Sequence, residues 1–178
     1  MRPLNYLTIV LLSVTLGVPI SGAAKSLSGA YLAARQADAE RDYRISEQYY
    51  TRALRQDPNN PALMEYLIMA HISLGQFAAA SPVAQRLDAQ QVDSQLVNMM
   101  QIATGAAQGQ YDGILLRIDQ GKGIGALIDS LLVAWAITGQ GKMSDALAAF
   151  DAVAEKQGVE AFARYHKALA LAHAGDFE

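Results

Sequence analysis

Five times along this 178-residue chain, a small or polar residue and a second polar residue are followed by an aromatic or a Met. The runs are Arg41-Asp42-Tyr43, Gly75-Gln76-Phe77, Gly109-Gln110-Tyr111, Gly141-Lys142-Met143 and Gly175-Asp176-Phe177, at intervals of 34, 34, 32 and 34 residues. This period constrains the fold more than any other feature. A unit of roughly 34 residues holds one pair of helices and cannot bury its apolar face alone, so successive units must stack.

The residues between the signatures carry helical periodicity. Ala62 to Leu74 has no Gly or Pro and is rich in Leu, Met and Ala. Leu127, Leu131, Ala134 and Trp135 recur at three- and four-residue steps, as do Ser46, Tyr50, Ala53 and Leu54, and Ala146, Leu147, Phe150 and Val153. Sustained two-residue alternation is missing, so no sheet is expected. In each signature the Gly ends one helix, because it reaches left-handed backbone angles at little cost. The Asp or Gln caps or turns into the next helix, and the aromatic packs into the corner. Asp57-Pro58-Asn59-Asn60-Pro61 is a second kind of joint: Pro58 blocks continuation, Asn60 suits an N-cap, and Pro61 suits a first helical turn. Ala34, Ala53, Ala80, Ala134, Ala146 and Ala168 stand where paired helices cross, and their small size lets the helices approach.

Composition narrows the chemistry. Apolar residues make up 52% and charged residues 17%, which suits a packed core. The net charge of −3 comes with no basic run, which argues against nucleic acid as a partner. With no cysteine, disulfides, thiolate metal sites and thiol catalysis are excluded. Gly121-Lys122-Gly123-Ile124-Gly125 is glycine-rich but lacks the spacing and the Lys-Ser/Thr pair of a phosphate loop, and it follows a helix, so it reads as a joint. His166 and His173 are two helical turns apart, too far to share one zinc, and His71 reads as a hydrogen-bonded packing residue. Glu40, Asp42 and Glu47 fit a solvated helix face. No catalytic, metal or cofactor site is expected, and the chain does not read as an enzyme.

The first residues read as a targeting segment. Arg2 precedes an apolar stretch from Leu7 to Leu16, Gly17 and Pro19 break it, and Gly22-Ala23-Ala24 offers small residues for a signal peptidase. The stretch is short for a membrane span. Cleavage near Ala24 would leave a mature protein with no further membrane-spanning stretch, exported or periplasmic in a Gram-negative-type bacterium.

Together these residues resemble the tetratricopeptide repeat family. Asp42-Tyr43, Tyr49-Tyr50, Arg52-Ala53-Leu54 and Asp57-Pro58-Asn59-Asn60 match the end of that repeat closely. Gly75-Gln76-Phe77 with Ala79-Ala80, and Gly141-Lys142-Met143 with Ala146-Leu147 and Phe150, match others. The resemblance implies an all-α solenoid of antiparallel helix pairs, a right-handed superhelix of about four and a half repeats. The units would lie near 27–60, 61–94, 95–126, 127–160 and an incomplete 161–178, after a signal peptide at 1–24, with the repeat domain covering 25–178. Departures are expected to show. Ala30 stands where the family prefers a large aromatic, Pro82 falls early in a second helix, and Asn98 and Gln101 replace apolar residues. Gln120 to Gly125 make the third unit two residues short and predict a distorted or flexible joint. The open last unit suggests a fragment of a longer array.

The resemblance also places a partner groove on the first helix of each pair. Its positions are Tyr31, Arg35 and Asp38, then Glu65, Met69 and Ile72, then Met99, Ala103 and Ala106, then Leu131, Trp135 and Thr138. Met and Trp at helical spacing can equally be core. The set is apolar and suits an apolar or amphipathic segment. Tyr31 and Arg35 do not match the Lys and Asn with which some relatives clamp a chaperone's C-terminal carboxylate. The expected function is therefore an exported scaffold that binds a protein or peptide in the cell envelope, with homo-oligomerisation open. The alternatives are a structural or dimerising segment, or an accessory domain of a longer protein.

Overall fold

The computed structural model describes residues 27–175. The apolar N-terminal stretch and the Asp176-Phe177 end of the fifth signature lie outside them. The described residues form nine α-helices and no strand. They are α1 (Leu27–Ala39), α2 (Tyr43–Leu54), α3 (Pro61–Ser73), α4 (Phe77–Ala89), α5 (Gln95–Ala107), α6 (Tyr111–Asp119), α7 (Ala126–Gly139), α8 (Met143–Ala154) and α9 (Glu160–His173). Each helix packs on its neighbours in sequence, α3 also touches α5, and α7 also touches α9. The result is an all-α solenoid of stacked helix pairs.

One corner is used repeatedly. The N–H three residues past the helix end reaches back five residues: Asp42 to the Ala37 carbonyl, Gln76 to His71, Gln110 to Gly105 and Lys142 to Ile137, at 2.8, 2.8, 2.8 and 3.2 Å. This bond satisfies carbonyls that a helix end would otherwise orphan, and it needs a left-handed residue in between. Gly75, Gly109 and Gly141 supply it at φ near +70°, and at the first corner Arg41 adopts φ 60° itself. Capping is less uniform than the signature implied. The Asp42 carboxylate accepts from the Ile45 N–H at 3.1 Å, but the side chains of Gln76, Gln110 and Lys142 cap nothing. Gln76 instead meets His71 Nδ1 at 2.9 Å, the hydrogen bond expected for that buried histidine. At the proline joint, Asn60 Oδ1 accepts from the Leu63 N–H at 3.1 Å, and Pro61 opens α3.

Ala34, Ala53, Ala80, Ala134 and Ala146 are fully buried at helix crossings. Ala168 is exposed instead, because no described helix covers that side of α9. Pro82, expected early in a second helix, is the sixth residue of α4 and lies past its first turn. It is exposed and the helix continues through it, so the missing N–H falls at the surface.

The apolar interior is divided. One cluster runs from α1 to α5 around Tyr50, Met64, Ile68 and Leu87. A second spans α7 to α9 around Phe150 and Val153. Between them Ile102, Ile114 and Ala136 make a small third one. This thin middle follows from α6, which has nine residues, of which only Ile114 is buried. A polar network reinforces it. Arg117 donates to both oxygens of Asp88 at 2.8 and 3.2 Å and to Asn98 Oδ1 at 2.8 Å. Asn98, polar where the family prefers an apolar side chain, is thus buried with a partner on the next helix. At the glycine-rich joint the Ile124 and Gly125 N–H groups donate to the Asp129 carboxylate at 2.7 and 3.2 Å.

Candidate functional site

The odd-numbered helices form one side of the stack, and their side chains meet across it. Tyr31 of α1 lies 6.1 Å from Tyr66 of α3, centroid to centroid, and the Arg35 guanidinium sits 5.0 Å above the same Tyr66 ring. Ser94, at the start of α5, donates its hydroxyl to Glu65 of α3. Trp135 of α7 donates its indole N–H to His166 Nδ1 of α9 at 3.1 Å.

Four of the predicted residues, Arg35, Asp38, Glu65 and Met69, come together in an open pocket of about 570 Å³ that Tyr66 and Leu96 also line. Tyr31 lies beside it in an apolar pocket of about 300 Å³ with Leu27 and Leu63, and Tyr66 forms the shared wall. Met69 and Met99 are exposed, at 49% and 45%, as contact residues need to be. Leu131 differs: it is buried in the α7–α9 cluster and presents nothing to a partner. Trp135 is half-buried, edge-on to Phe150 at 5.6 Å and to His166 at 6.1 Å, so it braces the face from beneath.

The predicted groove stops one helix short. Ile128, Phe162, Tyr165 and Leu169 are exposed large apolar residues on α7 and α9, between 41% and 60%. Phe162, Tyr165 and Leu169 stand 34 residues after Ile128, Leu131 and Trp135, so carrying the same offset one repeat further finds them. Six of the ten exposed large apolar side chains among the described residues therefore lie on α3, α5, α7 and α9 at one set of repeat positions. Isolated exposed apolar residues mean little, whereas several gathered on one side mark a contact surface.

The electrostatics concentrate at α1. The Tyr66 hydroxyl first, then those of Tyr50 and Tyr31, hold the Arg35 guanidinium above its ordinary value, so it stays charged. Tyr50 is pushed well up by burial and by its hydrogen bond to Asp38. Tyr66 is raised chiefly by its hydrogen bond with Tyr31. Both are neutral, hydrogen-bonding rings at physiological pH. No cluster of three His, Asp or Glu able to hold a metal occurs among the described residues. In the glycine-rich joint the Ile124 and Gly125 N–H groups are taken by Asp129, and those of Gly121 and Lys122 by the Ile118 and Arg117 carbonyls.

The model of the Tetratricopeptide repeat family matches residues 37–101, and a second model of the same description matches residues 138–178. Among solved structures the chain resembles YrrB, a TPR protein with an unusual peptide-binding site. The TM-score is 0.66 at 13% identity, over 88% of this chain and 81% of that one. No curated protein matches the chain.

Proposed function

This chain is a tetratricopeptide repeat protein, and from that premise we propose that it holds a peptide or protein segment on the side formed by α1, α3, α5, α7 and α9. One observation carries the reading: the row Met69, Met99, Ile128, Phe162, Tyr165 and Leu169, exposed on α3, α5, α7 and α9. Met adapts its shape to different partners, and aromatic side chains bring large contact area at small entropic cost. YrrB, of the same fold, is described as binding a peptide. The domain runs from about residue 25 to 178, with repeats near 27–60, 61–94, 95–126, 127–160 and 161–178. Its partner is another envelope protein, met after export under the signal at residues 1–24.

A photoreactive amino acid at Met99, compared with one at Leu116, tests the surface in the cells that make the protein. Leu116 is also exposed, but on α6. Crosslinks to a discrete partner should form from position 99 and not from 116; equal yields from both would dismiss the face. Export is tested separately by sequencing the N-terminus of the envelope-extracted protein, which should begin near Lys25 and not at Met1.

A further inference from the structure

We infer that His166 makes the α7–α9 end of the face sensitive to pH: its neutral imidazole ties α9 to α7, and protonation undoes the tie and loosens the hold on a bound segment. This rests on the peptide-holding reading above and adds regulation of that surface to it.

The indole N–H of Trp135 donates to His166 Nδ1 at 3.1 Å, and this is the one hydrogen bond between α7 and α9 among the described residues. An indole N–H can only donate, so Nδ1 holds a lone pair and the proton of the neutral ring sits on Nε2. A second proton has only Nδ1 to go to. The bond is then lost, and two N–H groups point at one another. Histidine is the side chain that takes up such a proton between about pH 8 and pH 5.

The surroundings offer the new charge no counter-ion. His166 is half-buried among rings: Phe162 at 4.6 Å, Tyr165 at 5.7 Å and Trp135 at 6.1 Å, centroid to centroid. On α7 the only charged residue is Asp129, which accepts from the Ile124 and Gly125 N–H groups. Asp151 of α8 pairs with Lys167 of α9 at 2.7 Å, and Glu160 pairs with Arg164 at 2.6 Å. Lys156, between α8 and α9, bonds the Ser130 hydroxyl. None of these carboxylates, nor Asp145 or Glu155, lies within ion-pair distance of the imidazole. The α9 helix itself adds Tyr165 and, two turns on, His173. An imidazolium here gives up a hydrogen bond and gains no partner, which is costly away from water. Phe162, Tyr165 and Leu169 are exposed members of the row on that same helix, and Ile128 is its member on α7. Releasing α9 from Trp135 shifts the first three against Ile128, and a segment lying across both helices loses its fit.

Panning a random dodecapeptide library on the immobilised protein at about pH 7.5 supplies the probe. A retained peptide without His, Asp or Glu, acetylated and amidated at its ends, has no acid or base of its own that titrates in this range. Its affinity is measured at about pH 7.5 and about pH 5.5 for the parent, His166→Gln, His166→Asn, His166→Lys and the pair Met69→Glu and Leu169→Glu. Helical circular dichroism checks that each variant folds at both. The parent should bind at least about fivefold more weakly at the lower pH, the worth of one hydrogen bond. Gln and Asn take no proton, so those variants should bind alike at both, and His166→Lys should bind weakly at both. Trp135 is the chain's single tryptophan, so its emission should change over the same range in the parent and stay flat in His166→Gln. Three results overturn this inference and leave the face standing: parent binding that is alike at both pH values, a loss at low pH that persists in His166→Gln and His166→Asn, or a Trp135 emission that does not follow pH. Failure to retain peptides at about pH 7.5, or retention unaffected by Met69→Glu and Leu169→Glu, overturns both.

Discussion

Replacing Arg117 by Met tests whether the middle of the array is held by polar contacts. Arg117 makes three hydrogen bonds, two to Asp88 and one to Asn98. Its side chain is 18% exposed and that of Asp88 26%, so solvent screens the pair only in part. Net hydrogen bonds to charged groups contribute about 1.5–3 kcal/mol, and removing one partner leaves the others desolvated and unpaired. Met keeps most of the stem's packing. After a discount for screening, Arg117→Met should cost about 3 kcal/mol, or a fall in Tm of roughly 6–12 °C in a protein of this size. Asn98→Leu in the same background removes the stranded amide and puts an apolar side chain at a buried position of α5. That second change should return about 1.5–2 kcal/mol, although Asn98→Leu alone gains little because it takes a partner from Arg117. Urea titrations followed at 222 nm on the four members of this cycle give the coupling energy directly. Additivity of the two changes, or a cost below about 0.5 kcal/mol for Arg117→Met, would show that the network does not hold the third helix pair.

Two further outcomes follow from the same region. The hydrogen bond from Arg117, aided by the charges of Arg117 and Lys122 and opposed by burial, holds the Asp88 carboxyl below its ordinary value. Its contribution to stability is therefore complete above the unfolded carboxylate value of about 4 and is lost as pH falls through the lower folded value; urea midpoints measured from pH 7 downward should start to fall near pH 4, with a shallower fall in Asp88→Asn. A Cβ at Gly123 would collide with the Asp129 carboxylate, so Gly123→Ala and Asp129→Ala break the same cap. Each should cost about 1–2 kcal/mol and the pair little more than either alone, while costs that add would show that the joint does not depend on that carboxylate.

The repeat period, the helical corners and the alanine crossings could be read from the amino-acid order because each depends on residues close in sequence. A left-handed residue at a helix end, an Asn before a Pro and an Ala facing its partner helix are local requirements. The Arg117 network escaped because its members are 10, 19 and 29 residues apart, and nothing in that spacing announces a contact. Asn98 therefore looked like a fault in the pattern, when it is one half of a pair. The joint was legible only as distorted or flexible for a related reason: glycines permit a loose backbone as readily as one that wraps a carboxylate, and the role of Asp129 lay outside the local pattern. At the candidate site, the repeat offset placed Arg35, Glu65 and Met69 in one pocket. It could not place Leu131, whose burial depends on how closely α9 lies against α7.

Apolar contacts attract without regard to direction, whereas a guanidinium paired with a carboxylate and an amide is satisfied at one angle only. The two large clusters hold their own helix pairs, and between them the array relies on the small cluster around Ile102, Ile114 and Ala136 and the bonds of Arg117. The middle pair thus works as a protractor. It fixes the angle between the two ends by the bearing of its bonds rather than by the bulk of its core. A few degrees of change at Asn98 is magnified by the length of each arm, so the curvature presented to a partner at Arg35 and at Leu169 is set at a residue that touches neither.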